Sequence, residues 1–232
     1  MNPVRHSDIS KVLEADVKWG CINKMSNGVN KLLKKSIEEY QRTQDLMYKI
    51  QKLSNEIRAG SKKAIALLRR DNIQESKRII SKAENNFRKI CKIIKKNGNL
   101  TSQSFYKEAV EEYIEAITFY NFLSLPPHYN KNIWFGGKSK KEILDFVKVE
   151  PEEVISGICD FTGEVVRRAV TTASVDNFEK LLTYKKTIED IVEELTKIGF
   201  RGKIRQKYDE TERNLRKIEN IIYDIKLKNP KI

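Results

Sequence analysis

The spacing of apolar side chains predicts a chain built from long amphipathic helices. Apolar residues recur every three or four positions over long stretches, which is the period of a helix with one buried face. No stretch shows the apolar and polar alternation of a half-buried strand. The predicted helices cover residues 29–70, 72–95, 102–124, 139–147, 151–172, 177–198 and 203–226. We therefore expect one all-α domain of about seven helices.

Residues 1–28 differ from the rest in their weak periodicity. They contain Pro3, Gly20 and Gly28, which all disfavour a long helix. The sequence therefore predicts a loosely structured leader at 1–28 and a single all-α domain at 29–232.

The positive charge is concentrated in the first part of the chain. The net charge is +13, and residues 1–100 hold 23 Lys and Arg against 10 Asp and Glu, whereas residues 101–232 hold 22 of each. This asymmetry favours a polyanionic partner, and nucleic acid ahead of a membrane because no apolar, Trp- and Phe-rich helix face accompanies it. A lysine-rich solvated surface is the alternative interpretation.

Several classes of protein are disfavoured by what the sequence lacks. No run of about 18 apolar residues is present, and the first twenty residues have no apolar signal core, so we expect a cytoplasmic protein without membrane contact. The three cysteines are odd in number and far apart, which predicts buried free thiols. The only histidines are His6 and His128, which excludes a ferritin-like di-iron site.

Charged residues share one face of the helix predicted at 151–172. Asp160, Glu164 and Arg167 fall within about 60° of each other at 3.6 residues per turn. Two carboxylates four positions apart repel each other unless a cation compensates them. Either Arg167 or Arg168 neutralises them, or a metal ion does.

The helix predicted at 102–124 carries a second acidic cluster. Its members fall within about 100° of each other: Glu108, Glu111, Glu112 and Glu115. A solvated face is the alternative, but the stripe continues into Phe119 and Phe122, so water does not cover its whole length. Together with the carboxylates of the later helix, this cluster fits an all-oxygen site for Mg²⁺ or Mn²⁺.

Four segments of the chain resemble the translin/TRAX family (TRAX is translin-associated factor X). SGICDFTGEVVRRAV resembles the family segment S/LGVxDLTGELxRxxxN, and EEYIEAITFYNFL resembles QEYVEAVSFxxFI of TRAX. LMYKIQKLSNEIRAGSKKAIALLRR is similar to the first long TRAX helix, and KYDETERNLRKIENIIYDIKL to the ending that both types share. The resemblance spans residues 30–228 in the family's order.

The resemblance implies a seven-helix translin-like bundle that assembles into a hollow octameric barrel with RNA inside. TRAX-type subunits are metal-dependent endoribonucleases that cut single-stranded RNA. Translin-type subunits bind nucleic acid and have apolar residues in place of the acidic ones. Matched by motif, the TRAX carboxylates correspond to Glu112, Glu115, Asp160 and Glu164, so the resemblance is to TRAX.

The resemblance also implies a role for each carboxylate. Glu112, Glu115 and Asp160 are the expected metal ligands, and Glu164 is a further ligand or a general base. RNA contacts are expected from basic residues, chiefly in the helices between 29 and 96: Arg58, Lys62, Lys63, Arg69 and Arg167. An i,i+3 or i,i+4 ion pair is the alternative role for Arg167 and Arg168.

The sequence does not decide between several possible ligands, oligomers and functions. The expected ligand is single-stranded RNA, with single-stranded DNA as a second possibility. The chain forms either a homo-octamer or a hetero-oligomer with a translin subunit, since it lacks the longer TRAX insertion and tail and adds 28 residues at its start. A translin-like binding protein without catalysis and a helical oligomerisation scaffold are the competing functions.

Overall fold

The computed structural model describes residues 6–97, 103–124, 150–174 and 177–228. In these ranges the chain forms six helices and no strand. The helices are α1 (His6–Leu68), α2 (Ile73–Asn97), α3 (Ser104–Ser124), α4 (Pro151–Ala173), α5 (Phe178–Thr196) and α6 (Gly202–Lys228). The all-α prediction is confirmed for the described ranges, and the short helix predicted at 139–147 lies outside them.

The first helix begins earlier than its apolar pattern predicted. Helix α1 begins at His6, so the predicted start near Val29 was wrong. Gly20 and Gly28 lie inside α1, and a single glycine lowers helix stability by only about 1 kcal/mol relative to alanine, so it need not end a helix. A distinct leader at 1–28 stays a prediction.

The chain divides into two compact units, Met1–Lys49 and Ile50–Ile232. In the first unit, nearly all described side chains, which begin at residue 27, are exposed. The exposed set includes large apolar residues: Val29, Leu32, Leu33, Ile37, Tyr40 and Tyr48.

Helix α3 is the centre of the second unit. Apolar residues lie on all of its sides, as expected for a helix that is covered all round. One side packs against α1 and α2 through residues such as Ile57 and Phe87. The other side packs against α4, α5 and α6 through residues such as Phe161, Leu181 and Ile218.

Helix α4 begins and packs as its sequence predicts. Pro151 occupies the first turn, and Glu152 and Glu153 place negative charge at the positive end of the helix dipole. Farther along, Gly157 faces α3 at very short range. A Cβ atom on Gly157 would lie 2.7 Å from the Glu111 carbonyl oxygen and 2.8 Å from the Cβ of Ile114. The absent side chain therefore lets the backbone of α4 lie directly on α3.

No helix in the described ranges combines the length and the apolar character that crossing a membrane requires.

Replacing Gly157 by alanine tests this close approach. We expect Gly157→Ala to lower the free energy of unfolding by about 1–3 kcal/mol, because α3 and α4 must separate to admit the methyl group. Gly163→Ala on the same helix is the matched control, since its Cβ would meet nothing nearer than Asn214 Nδ2 at 3.7 Å. Urea-unfolding midpoints measure both changes, and equal midpoints for the two variants would contradict the packing argument.

Candidate functional site

The packing of α4 on α3 brings the predicted carboxylates together. Glu115 of α3 and Asp160 and Glu164 of α4 line one cavity of about 350 Å³. The charge of Glu112 reaches the same group, because it acts on the carboxyl of Glu115. The structure thus places three of the four predicted acidic residues on one cavity and the fourth, Glu112, close enough for its charge to act on Glu115. We call this group of four residues and the cavity the carboxylate cleft.

Glu115 is the carboxylate without a cation bound to it. Burial, with the charges of Asp160, Glu164 and Glu112, raises the pKa of Glu115 to about 8, and Lys207 opposes this only in part. Among the described side chains, none donates a hydrogen bond to the Glu115 carboxyl. Burial and the neighbouring acidic groups therefore favour the neutral form of the Glu115 carboxyl.

Asp160 binds a lysine from α6. The Nζ atom of Lys207 lies 2.5 Å from Oδ1 and 2.6 Å from Oδ2 of Asp160, so one ammonium group donates to both oxygens. Burial acts to lower the pKa of Lys207, but the hydrogen bonds to Asp160 and the charges of Asp160, Glu111 and Glu115 outweigh it and raise the pKa. The ammonium is therefore firmly protonated.

Glu164 is nearly buried, with its side chain 5% exposed, and it binds two arginines. Arg69 donates from Nε to Oε2 at 2.6 Å and from Nη2 to Oε1 at 2.7 Å. This paired geometry is the strongest form of carboxylate–guanidinium contact, and it raises the pKa of Arg69. Arg167 approaches from its own helix, with Nε 3.6 Å from Glu164 Oε1.

The cations that neutralise the α4 carboxylates differ from those the sequence suggested. Arg167 does contact Glu164 as an i,i+3 pair. Arg168 does not, because its guanidinium donates to both carboxylate oxygens of Asp71 in the connection between α1 and α2. The main partners come from other helices.

The acidic stripe of α3 is also paired with cations. Glu112 accepts from Lys62 of α1 at 3.0 Å. Glu108 binds Arg58 of α1, and Glu111 binds Lys203 of α6. The alternative interpretation, that the acidic stripe of α3 faces solvent, therefore holds at most for Glu108, whose side chain is 48% exposed.

Most of the basic residues predicted to bind RNA contact carboxylates in this structure. Arg58, Lys62, Arg69 and Arg167 each lie beside a glutamate. Lys63 is exposed and has no such partner among the described residues. The sequence analysis did not single out Lys203 and Lys207, although their i,i+4 spacing on α6 places two positive charges on one face.

In the described ranges, no three acidic, histidine or cysteine side chains converge as a ready-made metal cage. The carboxylates of the cleft are instead held separately: Asp160 by Lys207, Glu164 by Arg69 and Glu112 by Lys62. The donor atoms are present, and each carboxylate is paired with a different cation, from α1, the connection after it, or α6.

Known proteins share both the sequence pattern and the fold. Translin-associated protein X of Mus musculus is 21% identical to this chain, with 90% of this chain and 82% of the mouse protein covered. The Translin-associated protein X homolog of Schizosaccharomyces pombe is 25% identical, with 79% and 82% covered.

Solved structures match the fold closely. The crystal structure of apo-NeC3PO superposes with a TM-score of 0.68 at 20% identity and covers 83% of this chain and 96% of that one. The structure of an AfC3PO–duplex RNA complex also gives a TM-score of 0.68, at 18% identity, and covers 86% and 99%. The helices around the carboxylate cleft therefore follow a known arrangement.

The match is equally broad at the level of the family. The model of the Translin family matches residues 45–229, which include every residue of the carboxylate cleft and all of its cation partners. This chain belongs to the Translin family.

Proposed function

We propose that this protein is a metal-dependent endoribonuclease of TRAX type that binds and cleaves single-stranded RNA. The observation that supports this most is the carboxylate cleft itself. Three of the four residues that match the TRAX carboxylates line one cavity, and the charge of the fourth, Glu112, acts on Glu115. By the same resemblance, translin-type subunits have apolar residues at these positions. A carboxyl whose pKa is raised to about 8 by burial and neighbouring acidic groups is typical of catalytic sites.

The side chains of the cleft fit a divalent cation. The four acidic residues offer carboxylate oxygens, which Mg²⁺ and Mn²⁺ prefer. Burial and the neighbouring acidic groups raise the pKa of Glu115, and a divalent cation bound there would stabilise its charged form. Glu112, Glu115 and Asp160 are the residues that would hold the ion. When bound, Mg²⁺ would polarise the scissile phosphate and lower the pKa of an attacking water.

Glu164 and its arginines have a positioning role in this proposal. Both Glu164 oxygens accept from Arg69, so Glu164 fixes that guanidinium at the rim of the cleft. Arg167 lines the cavity with its side chain 65% exposed, and its contact with Glu164 is through Nε at 3.6 Å. An arginine that is this exposed can contact an RNA phosphate through its guanidinium.

The RNA path is proposed to use the exposed cations of α2 and α1. Exposed cations follow α2 at helical spacing: Lys77, Arg78, Lys82, Arg88, Lys89, Lys92 and Lys95. Lys63 on α1 adds an exposed cation near Lys62, the partner of Glu112. Such contacts bind single-stranded RNA, and single-stranded DNA, through phosphates without reading the sequence.

Assembly and location complete the proposal. We infer an octameric barrel, built from this chain alone or together with a translin subunit, inside the cytoplasm. The apolar side chains exposed on residues 29–48 support an oligomer, because a long exposed apolar face is a common interaction surface.

Loss of a single carboxylate tests catalysis. We expect Asp160→Asn and Glu112→Gln each to reduce cleavage of a labelled single-stranded RNA by at least about 100-fold, and EDTA to do the same to the wild type, because the ion loses a ligand. Glu108→Gln is the matched control, since Glu108 lies one turn before Glu112 on α3 but is exposed and bound to Arg58. Cleavage that survives Asp160→Asn or EDTA would reject the metal site. RNA binding without cleavage by the wild type would favour the translin-like alternative.

Substitution of an unpaired cation tests the RNA path. Lys63→Gln removes one exposed charge without breaking an ion pair, so we expect weaker RNA binding and a salt dependence that is shallower by roughly 0.7 in the slope of log K against log salt. Lys186→Gln on α5 is the control, because Lys186 is exposed and binds Asp190 at 2.8 Å. Identical slopes for the wild type and Lys63→Gln would remove Lys63 from the RNA path.

The pKa of Glu115 makes a prediction about stability. Below pH 4.5 Glu115 is protonated in the folded and the unfolded chain alike, but between 4.5 and about 8 only the unfolded chain releases the proton. Stability of the metal-free wild type should therefore fall through this window relative to Glu115→Gln, by on the order of a few kcal/mol. Urea unfolding in EDTA at pH 5 and pH 8.5 measures the difference. Parallel changes in the two proteins would show that Glu115 is not perturbed.

A further inference from the structure

Lys207 binds the carboxylate of Asp160, one of the three proposed metal ligands. Its Nζ donates to both Asp160 oxygens, at 2.5 and 2.6 Å, and its side chain is only 26% exposed. The charges of Glu111 and Glu115 also act on it. Lys207 is therefore a cation set among acidic residues of α3 and α4.

A divalent cation and this ammonium group compete for the same atoms. Asp160 has two oxygens, and both accept from Lys207. A metal ion bound to Asp160 would take those oxygens and would repel the positive charge beside them. The two cations therefore compete for Asp160, and their mutual repulsion disfavours binding of both at once.

We propose that Lys207 is a tethered counter-cation, which stabilises the carboxylate cleft in the metal-free protein and is displaced when a divalent cation binds Asp160. This inference rests on the metal site of the proposed function. It also accounts for the lack of a ready-made cage in the described ranges, because Asp160 is held towards α6.

The other ion pairs of the cleft are weaker candidates for this role. Lys62 approaches a single oxygen of Glu112 at 3.0 Å and is 62% exposed, so solvent screens it. Arg69 binds Glu164, which is not among the proposed metal ligands. Lys207 is the cation that occupies both oxygens of a proposed ligand.

Displacement of Lys207 is feasible because the ammonium has another acceptor close by. A lysine side chain has a flexible four-carbon stem and three rotatable donors, so it can turn to a neighbouring carboxylate. The charge of Glu111 already acts on Lys207. Glu111 binds Lys203, which lies one turn earlier on α6.

Mn²⁺ affinity is the measurement that tests this proposal, with free Mn²⁺ followed by electron paramagnetic resonance. We expect Lys207→Gln to bind Mn²⁺ roughly tenfold more tightly than the wild type, because removing a close competing charge is worth about that factor. Arg205→Gln is the control on the same helix, because Arg205 pairs with Asp209 of α6 at 2.9 Å, and its affinity should equal that of the wild type. Lys207→Arg keeps the charge and should keep the wild-type affinity.

Asp160→Asn separates failure of this inference from failure of the proposed function. If the wild type binds Mn²⁺, Asp160→Asn does not, and Lys207→Gln binds no more tightly than the wild type, then the metal site stands and the counter-cation role is overturned. If neither the wild type nor Lys207→Gln binds Mn²⁺, or if Asp160→Asn binds it unchanged, the proposed metal site is itself overturned and this inference with it.

Thermal unfolding keeps the test decisive if Lys207→Gln folds poorly. Without metal, Lys207→Gln should melt below the wild type, because Asp160 is left without its cation beside Glu115. Saturating Mn²⁺ should then raise the melting temperature of Lys207→Gln more than that of the wild type, as tighter binding to the folded state requires. An equal or smaller rise would overturn the proposal.

Discussion

The close approach of α4 to α3 at Gly157 is the constraint on which the carboxylate cleft depends. The α4 backbone lies on the carbonyl of Glu111 and the side chain of Ile114. Asp160 lies one turn beyond Gly157 on the same face of α4, and Glu115 lies one turn beyond Glu111 on α3. A larger residue at 157 would separate the helices just before the positions that carry the acidic groups. The residue without a side chain thus determines how near the charged side chains lie.

Once the helices are this close, electrostatics governs the rest of the site. A carboxylate as buried as Glu164 needs a partner, since an unpaired buried charge is strongly destabilising. The turn after α1 supplies Arg69 for Glu164, and α6 supplies Lys207 for Asp160. Glu115 has no such donor among the described residues, and its pKa rises instead. The carboxylates of the cleft therefore pair with cations from distant parts of the sequence. Of the four, Glu115 is the one that has no cation partner among the described residues.

The sequence predicted the parts of this site that depend on one helix at a time. The 3.6-residue period placed Asp160 and Glu164 on one face of α4, and the motifs around them indicated the family. It did not predict which cation faces which carboxylate. Arg69 and Glu164 are 95 residues apart, and Lys207 and Asp160 are 47 apart, so no local pattern connects them.

The same limit explains why basic residues of α1 were assigned to RNA. A lysine or arginine on a helix face looks the same in sequence whether it meets solvent or an acidic group of another helix. The early start of α1 escaped prediction for a different reason, because isolated glycines lower helix stability without ending the helix. Both the ion pairs between helices and the glycines inside α1 depend on the folded chain and not on a local sequence pattern.

The bond between Arg168 and Asp71 gives the turn after α1 a part in the site. Asp71 adopts a left-handed conformation, with φ of 58°, and Arg168 of α4 donates to both of its carboxylate oxygens. Arg69 lies in the same turn, two residues before Asp71, and its guanidinium binds Glu164, which like Arg168 is on α4. The turn therefore fixes the position of α1 along α4. A search for active-site residues by distance from the reacting atoms would overlook Asp71, although Asp71 helps to align the helices that carry the site.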